Sequence, residues 1–182
     1  PEDVIDRRFK EETRAEAKEE HQNRLRLISV NENSLKKDPL DRDALSWLSD
    51  LFCKEQKYKE MESMLKKLLI AEESKGLHNW MTYLKLGEIY FAALSTSIRG
   101  KGIPIRGYTL PSNVKPEVLN YTVDQLRTLA IDNLSKAYEL LKKAGFKDKD
   151  PWIEEVELAL KAASTLSVEA FEEFDPLPLR RG

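Results

Sequence analysis

The sequence predicts an all-α fold built from antiparallel helical hairpins. Three observations support this prediction: apolar residues recur at intervals of three and four, 34% of the residues are charged, and the chain holds only seven glycines. This pattern is typical of amphipathic helices with one buried stripe. The chain is long enough to form one domain that buries about 70% of its unfolded surface. It has no apolar run of 18 residues, so we expect no membrane span.

Residues 1–30 are predicted to form a charged N-terminal helical arm. Acidic and basic residues follow one another closely there among good helix formers, which favours a solvated helix with ion pairs four residues apart. Two interpretations stay open: a solvated helix that frays at its tip, and a docking arm whose Ile5 and Phe9 insert into a partner. The packed region is expected to begin with Leu25, Leu27, Ile28 and Val30.

The stretch from Leu45 to Leu69 is predicted to form a helical hairpin. Two apolar stripes at helical spacing are separated by the polar run Lys54–Lys57, which suits an exposed corner. Asp38-Pro39 precedes the first helix, where the missing N–H of proline has no intrahelical partner to lose. Two such helices cannot bury both stripes alone, so they need neighbours. The stripes consist of Leu45, Leu48, Leu51 and Phe52, followed by Tyr58, Met61, Leu65, Leu68 and Leu69.

A second set of helices is predicted downstream of the hairpin. Gly76 is expected to end the hairpin as a left-handed residue just past the helix C-terminus. The helix that opens near Trp80 is apolar on more than one face, which predicts a central and heavily buried position. The three tryptophans, Trp47, Trp80 and Trp152, are predicted to serve core or inter-repeat packing rather than ligand stacking.

Helix signals continue towards the C-terminus. Residues 116–118 resemble a helix start, and Gly145 is expected to end that helix. Asp150 before Pro151 predicts the N-cap of one more helix. Residues 175–182 are rich in proline and are expected to leave the domain as an extended C-terminal tail.

Two parts of the chain resemble the tetratricopeptide repeat. The first copy carries Leu45, Leu48, Phe52, Tyr58, Met61, Leu65 and Leu68, and the second carries Tyr83, Leu86-Gly87, Tyr90, Ala130, Leu134 and Ala137. The resemblance covers about half the chain, and roughly thirty residues separate the paired helices of the second copy. It implies a right-handed superhelical array over residues 31–174, with one long inserted loop.

The resemblance also implies a concave surface lined by the first helix of each repeat. The basic and asparagine positions of the carboxylate-clamp subclass are absent, so capture of a peptide C-terminus is not expected. An acidic groove favours a basic or mixed peptide as the partner, including a loop of a neighbouring copy in a homo-oligomer. The residues placed in this concave groove are Asp43, Ser46, Asp50, Met81, Leu84 and Glu88.

The segment 95–116 differs in composition from the rest of the chain. It contains three glycines and three prolines, and it holds no acidic residue. Loops of this length are usually functional or disordered. Three interpretations stay open: contact with RNA phosphates, contact with an acidic protein groove, and simple packing of its isoleucines over the hairpin. The candidate partner-binding residues are Arg99, Lys101, Arg106, Tyr108 and Lys115.

Signals for enzyme chemistry are weak. Residues 102–109 have the glycine spacing of a phosphate-binding loop, but Tyr108 stands where the lysine is required. His21, His78 and Cys53 show no metal-ligand spacing. A single cysteine cannot form an internal disulfide, which agrees with a reducing, cytoplasmic compartment.

The combined signals predict a non-enzymatic protein-interaction or assembly module. We expect it to be a scaffold subunit of a larger complex that needs no cofactor or metal. The alternative is an RNA-contacting subunit of a ribonucleoprotein particle that uses the basic segment 95–116. A net charge of −2 does not require a nucleic-acid partner.

Overall fold

The computed structural model describes residues 2–99 and 119–166, and within these ranges it contains six α-helices and no strand. The all-α prediction is therefore confirmed. The chain divides into two compact units, Pro1–Glu55 and Gln56–Gly182, which are described in turn. The helices are α1 (Glu2–Lys37), α2 (Arg42–Lys54), α3 (Tyr58–Ser74), α4 (Trp80–Arg99), α5 (Val123–Lys143) and α6 (Pro151–Thr165). Within the described ranges, no helix offers the apolar length that a bilayer crossing requires.

The first unit is a hairpin of α1 and α2. Proline cannot extend α1 because it lacks the N–H that a helix interior needs, and the chain reverses at Asp38-Pro39. The Asp38 carboxylate accepts a hydrogen bond from the Leu40 N–H at 3.0 Å. Asp41 then caps α2 by accepting from the Ala44 N–H at 3.0 Å. The predicted proline junction is thus the turn of this hairpin.

Helix α1 is continuous past residue 30, so the expected boundary of the arm lies inside a helix. Every side chain from residue 3 to residue 23 is exposed, and packing begins only with the last four turns. Ile28 is buried, but Leu27 and Val30 are 44% and 54% exposed. The expectation that all of these residues enter the core is wrong for Leu27 and Val30, because successive helical residues point about 100° apart.

The second unit consists of α3 to α6, which run alternately up and down. Hydrogen bonds show the antiparallel order of α5 and α6, since Arg127 near the start of α5 donates to the carbonyls of Ala163 and Leu166 at the end of α6. The left-handed residue expected after α3 is confirmed, with φ of +68° at Gly76, and Gly145, which the sequence predicts to end α5, follows that helix with φ of +94°. Asp150 caps α6 as predicted by accepting from the Trp152 N–H.

Helix α5 begins at Val123. The predicted helix start at 116–118 falls outside the described residues, and Leu119, which follows it, is helical. Thr122 and Gln125 form a capping box, in which each side chain accepts from the backbone N–H of the other residue. The signal Thr-x-x-Gln is present in the sequence, so this helix start could have been recognised from it.

Helix α4 is the central helix of the second unit, as predicted. It packs against α3, α5 and α6. It also continues to Arg99, so residues 95–99 are helical and the predicted loop cannot begin at Ser95. The buried residues of α4 are Trp80, Thr82, Leu84, Leu86, Gly87, Glu88, Ile89, Tyr90, Phe91, Ala92, Ala93, Leu94 and Ser95.

The closest approach of α4 to α5 occurs at Gly87. A Cβ atom at this position would lie 2.7 Å from Cγ and Cδ2 of Leu134 and 3.3 Å from the Leu134 backbone nitrogen. Leu134 is fully buried. The missing side chain of Gly87 therefore leaves the space that Leu134 fills.

We predict that Gly87→Ala destabilises the second unit by about 1–3 kcal/mol, because the new methyl overlaps Leu134. In an open helix the same change would stabilise by about 0.5–1 kcal/mol. Urea unfolding followed by tryptophan fluorescence, with Trp47 replaced by phenylalanine so that only Trp80 and Trp152 report, measures the difference. The cost should shrink in a Leu134→Ala background, and a stabilised Gly87→Ala chain would contradict this close approach.

We predict that Leu65→Ala lowers the free energy of unfolding by about 2–5 kcal/mol, since Leu65 is fully buried on α3. Ile70→Ala is the matched control, because Ile70 lies on the same helix and is 69% exposed. The control should change stability by less than about 0.5 kcal/mol. Equal losses in the two variants would show that the buried face of α3 is misassigned.

Candidate functional site

An exposed tryptophan marks one face of α2. Trp47 is 62% exposed, whereas the other side of the helix is buried. The prediction that Trp47 serves packing is therefore wrong. The reason lies in the helix itself, because Leu45, Leu48 and Phe52 fill the covered side and Trp47 falls outside their arc.

Two carboxylates flank this tryptophan along the helix axis. Asp43 lies four residues before Trp47 and Asp50 lies three residues after it, so all three share one face. At 1.5 Å per residue, the flanking positions are about 6 Å and 4.5 Å from that of Trp47. Ser46 borders the face and is half-buried. We call Asp43, Trp47 and Asp50 the α2 face.

Two of the remaining residues of the predicted concave groove, Leu84 and Glu88, are not available to a ligand. Leu84 is fully buried, Glu88 is 2% exposed, and Met81 is half-buried. Glu88 also lies 3.7 Å from the Lys85 ammonium. The prediction that Leu84 and Glu88 line an exposed groove is wrong, because α4 is covered by three helices.

The predicted docking residues of the arm are exposed. Ile5 and Phe9 are 66% and 69% exposed and are four residues apart on α1. That spacing places them on one side of the helix. Their exposure is compatible with docking, which stays a prediction.

The basic segment is largely outside the described residues. Arg99 is the last residue of α4, and Lys101, Arg106, Tyr108 and Lys115 fall within the range 100–118, which is not described.

The other two tryptophans behave as expected for packing residues, since the ring centroids of Trp80 and Trp152 are 5.3 Å apart.

A buried carboxylate in the first unit ties α1 to the end of α2. Glu55 accepts a short hydrogen bond from Arg24 and lies 2.5 Å from Nδ1 of His21. Burial by itself would raise the pKa of Glu55, but the hydrogen bonds and charges of Arg24 and His21 outweigh it and hold the pKa below its ordinary value. Sequence analysis missed this contact, although His21 and Arg24 are three residues apart and so share a side of α1.

Two buried glutamates of the second unit tie α3 to α4. The Tyr90 hydroxyl donates to Glu62 at 2.6 Å, and the Thr82 hydroxyl donates to Glu72 at 2.8 Å. Burial raises the pKa of Glu72, because the charged form loses its water. Burial raises the pKa of Tyr90, and the hydrogen bond to Glu62 acts in the same direction. These groups are enclosed between α3 and α4.

Lys66 extends the Glu62 cluster towards α5. Its ammonium donates to the Tyr121 hydroxyl at 2.9 Å and lies 3.5 Å from Glu62. The hydrogen bond with Tyr121 and the charge of Glu62 raise the pKa of Lys66 although burial opposes them. The cluster therefore holds the residue just before α5 against α3.

No metal site is formed in the described part of the chain, where no three metal-ligating side chains come together. Comparison with protein-family models, with curated proteins and with solved structures gave no match to this chain.

The α2 face is the arrangement that offers the largest exposed aromatic side chain together with charged groups. It can bind by stacking and by ion pairing.

We predict that Glu55→Gln destabilises the α1–α2 hairpin by about 1 kcal/mol at pH 7, because charge-assisted hydrogen bonds are lost. The loss is no larger because His21 is partly exposed and solvent screens its charge. Hydrogen exchange of residues 24–37 should become faster. A carboxyl group whose pKa is lower in the folded than in the unfolded state stabilises the fold at pH values above its unfolded pKa of about 4.3. This stabilisation is lost as the pH falls through the folded-state pKa.

The difference between the Glu55→Gln chain and the unchanged chain should accordingly vanish in acid. Glu20→Gln is the control, since Glu20 is 72% exposed and pairs with the same Arg24 at only 3.9 Å. A Glu55→Gln effect that is unchanged between pH 7 and pH 3 would contradict the assignment.

Proposed function

We propose that this chain is a non-enzymatic protein-interaction and assembly module whose partner docks on the α2 face. The exposure of Trp47 between two carboxylates is the observation that supports this function. Burying an exposed indole in an interface removes a large apolar surface from water. Tryptophan is accordingly enriched among the residues that contribute most to binding.

Tetratricopeptide-like stacking of the helices is part of the same proposal. Three features of the second unit support it: neighbouring helices are antiparallel, Gly87 of the Leu-Gly pair abuts Leu134, and Tyr90 is buried. A small residue at this position is what close helix packing needs. The right-handed superhelical array over residues 31–174 is the arrangement that we propose on these grounds.

RNA binding through the basic segment is the competing function. Its support is the charge pattern of residues 95–116, which contain four cations and no acid. Binding of single-stranded RNA by four cations would weaken with salt at a log-log slope of about −3. Protein docking on the α2 face requires no such slope and no RNA.

Affinity capture from the source cells tests the two functions. The intact chain is used as bait beside Trp47→Ala and Ile70→Ala, with and without ribonuclease. We expect a set of proteins that survives ribonuclease, is lost with Trp47→Ala and is kept with Ile70→Ala, whose side chain is similarly exposed. Urea unfolding of Trp47→Ala should match that of the unchanged chain, which separates lost binding from lost folding.

Two outcomes would contradict the proposed function. If ribonuclease removes the partners, they are held through RNA and the ribonucleoprotein alternative is correct. If the partners persist with Trp47→Ala, the α2 face does not hold them.

A further inference from the structure

We propose that the α2 face binds an arginine of a basic peptide segment that belongs to a separate partner protein. This inference rests on the proposed function and adds the chemical class of the partner. The occupant is a segment with two cations, of which one stacks on Trp47.

The exposed indole of Trp47 is a flat surface that suits a flat cation. An indole ring attracts a cation to its face, and tryptophan is the aromatic side chain that does so best. The Trp47 side chain is 62% exposed, so a flat group can reach it without displacing protein atoms. The guanidinium group of arginine is planar and stacks on such rings.

The charge around the indole ring is negative. Asp43 and Asp50 lie on either side of Trp47, and within residues 2–99 and 119–166 neither carboxylate takes part in an ion pair. Asp43 also suits the first turn of α2, where the helix dipole favours an acid. Asp50 lies well past that turn, so capping does not account for it.

Acidic and purely apolar partner segments do not suit the α2 face. An acidic segment would meet two like charges, and a purely apolar one would take two carboxylates out of water without pairing them, which is costly. Asp50 is already half-buried, so its hydration is reduced before any partner arrives. An arginine matches both groups, because it can stack on the indole and donate two parallel hydrogen bonds to a carboxylate.

The spacing of the carboxylates sets the spacing of the partner's cations. Asp43 and Asp50 are separated by seven residues, which is about 10.5 Å along the helix. An extended peptide advances about 3.3 Å per residue, so cations three residues apart match this distance. Lys54, one turn beyond Asp50, is exposed and limits the acidic part of the face at that end.

Binding of a defined peptide to the intact chain tests the inference. The probe is the end-blocked hexapeptide Gly-Arg-Ser-Gly-Arg-Gly, and the readout is the indole N–H signal of Trp47 in ¹⁵N–¹H NMR, identified by its loss in Trp47→Phe. Saturable movement of this signal, without movement of the Trp80 signal, is expected. The version with lysines should bind at least about threefold more weakly, and the version with neutral citrulline should not saturate.

Charge variants give the matched comparison. Asp43→Asn combined with Asp50→Asn should weaken peptide binding at least about tenfold, which corresponds to about 1.4 kcal/mol. Asp124→Asn is the control, because Asp124 occupies the same position in the first turn of α5 and is exposed. Peptide binding should be unchanged in this control.

Several results would overturn the inference. Equal binding of the citrulline peptide, or unchanged binding to the double aspartate variant, would exclude cation recognition at this face. The basic segment of this chain could itself occupy the face. Peptide binding that strengthens at least tenfold when Arg99, Lys101, Arg106 and Lys115 are all replaced by alanine would assign the site to that segment and not to a partner.

The two experiments fail in distinguishable ways. If capture depends on Trp47 but the arginine peptide does not bind, the proposed function stands and the arginine assignment falls. If capture is independent of Trp47, the proposed function falls whatever the peptide does.

Discussion

The second unit depends on the close contact between α4 and α5. A glycine in the middle of α4 lets a leucine of α5 lie against the helix backbone, and α4 can then be covered by three neighbours at once. Close-packed interiors tolerate little change in volume. The absence of one side chain at Gly87 is therefore as much a part of the core as the large residues around it.

Buried carboxylates give this core its alignment. Hydroxyl groups of α4 donate to Glu62 and Glu72, which lie about 2.8 turns apart on α3. An apolar stripe alone tolerates sliding of one helix along another, but a buried carboxylate that loses its donor carries a desolvation penalty of about 1–3 kcal/mol. The two contacts together oppose a shift of α3 against α4. Glu55 holds the α1–α2 hairpin in the same way.

Local signals predicted the helix ends well, because a left-handed glycine or a capping aspartate acts within one turn. Gly76, Gly145 and Asp150 needed no knowledge of distant residues. Trp47 and Leu84 could not be assigned in this way, since their exposure depends on which neighbours cover each helix face. The candidate site was accordingly half predicted: Asp43 and Asp50 lie on an exposed face, whereas Leu84 and Glu88 are covered.

The unpacked part of α1 has an energetic consequence. A helix of about twenty residues without tertiary contacts is only marginally stable in water. Ile5 and Phe9 lie on the same side of the arm only when the arm is helical. A partner that covered both side chains would therefore bind only the helical conformation. Binding and helix formation in this arm would then be one linked equilibrium, so that the helix content of residues 3–23 would rise with partner concentration.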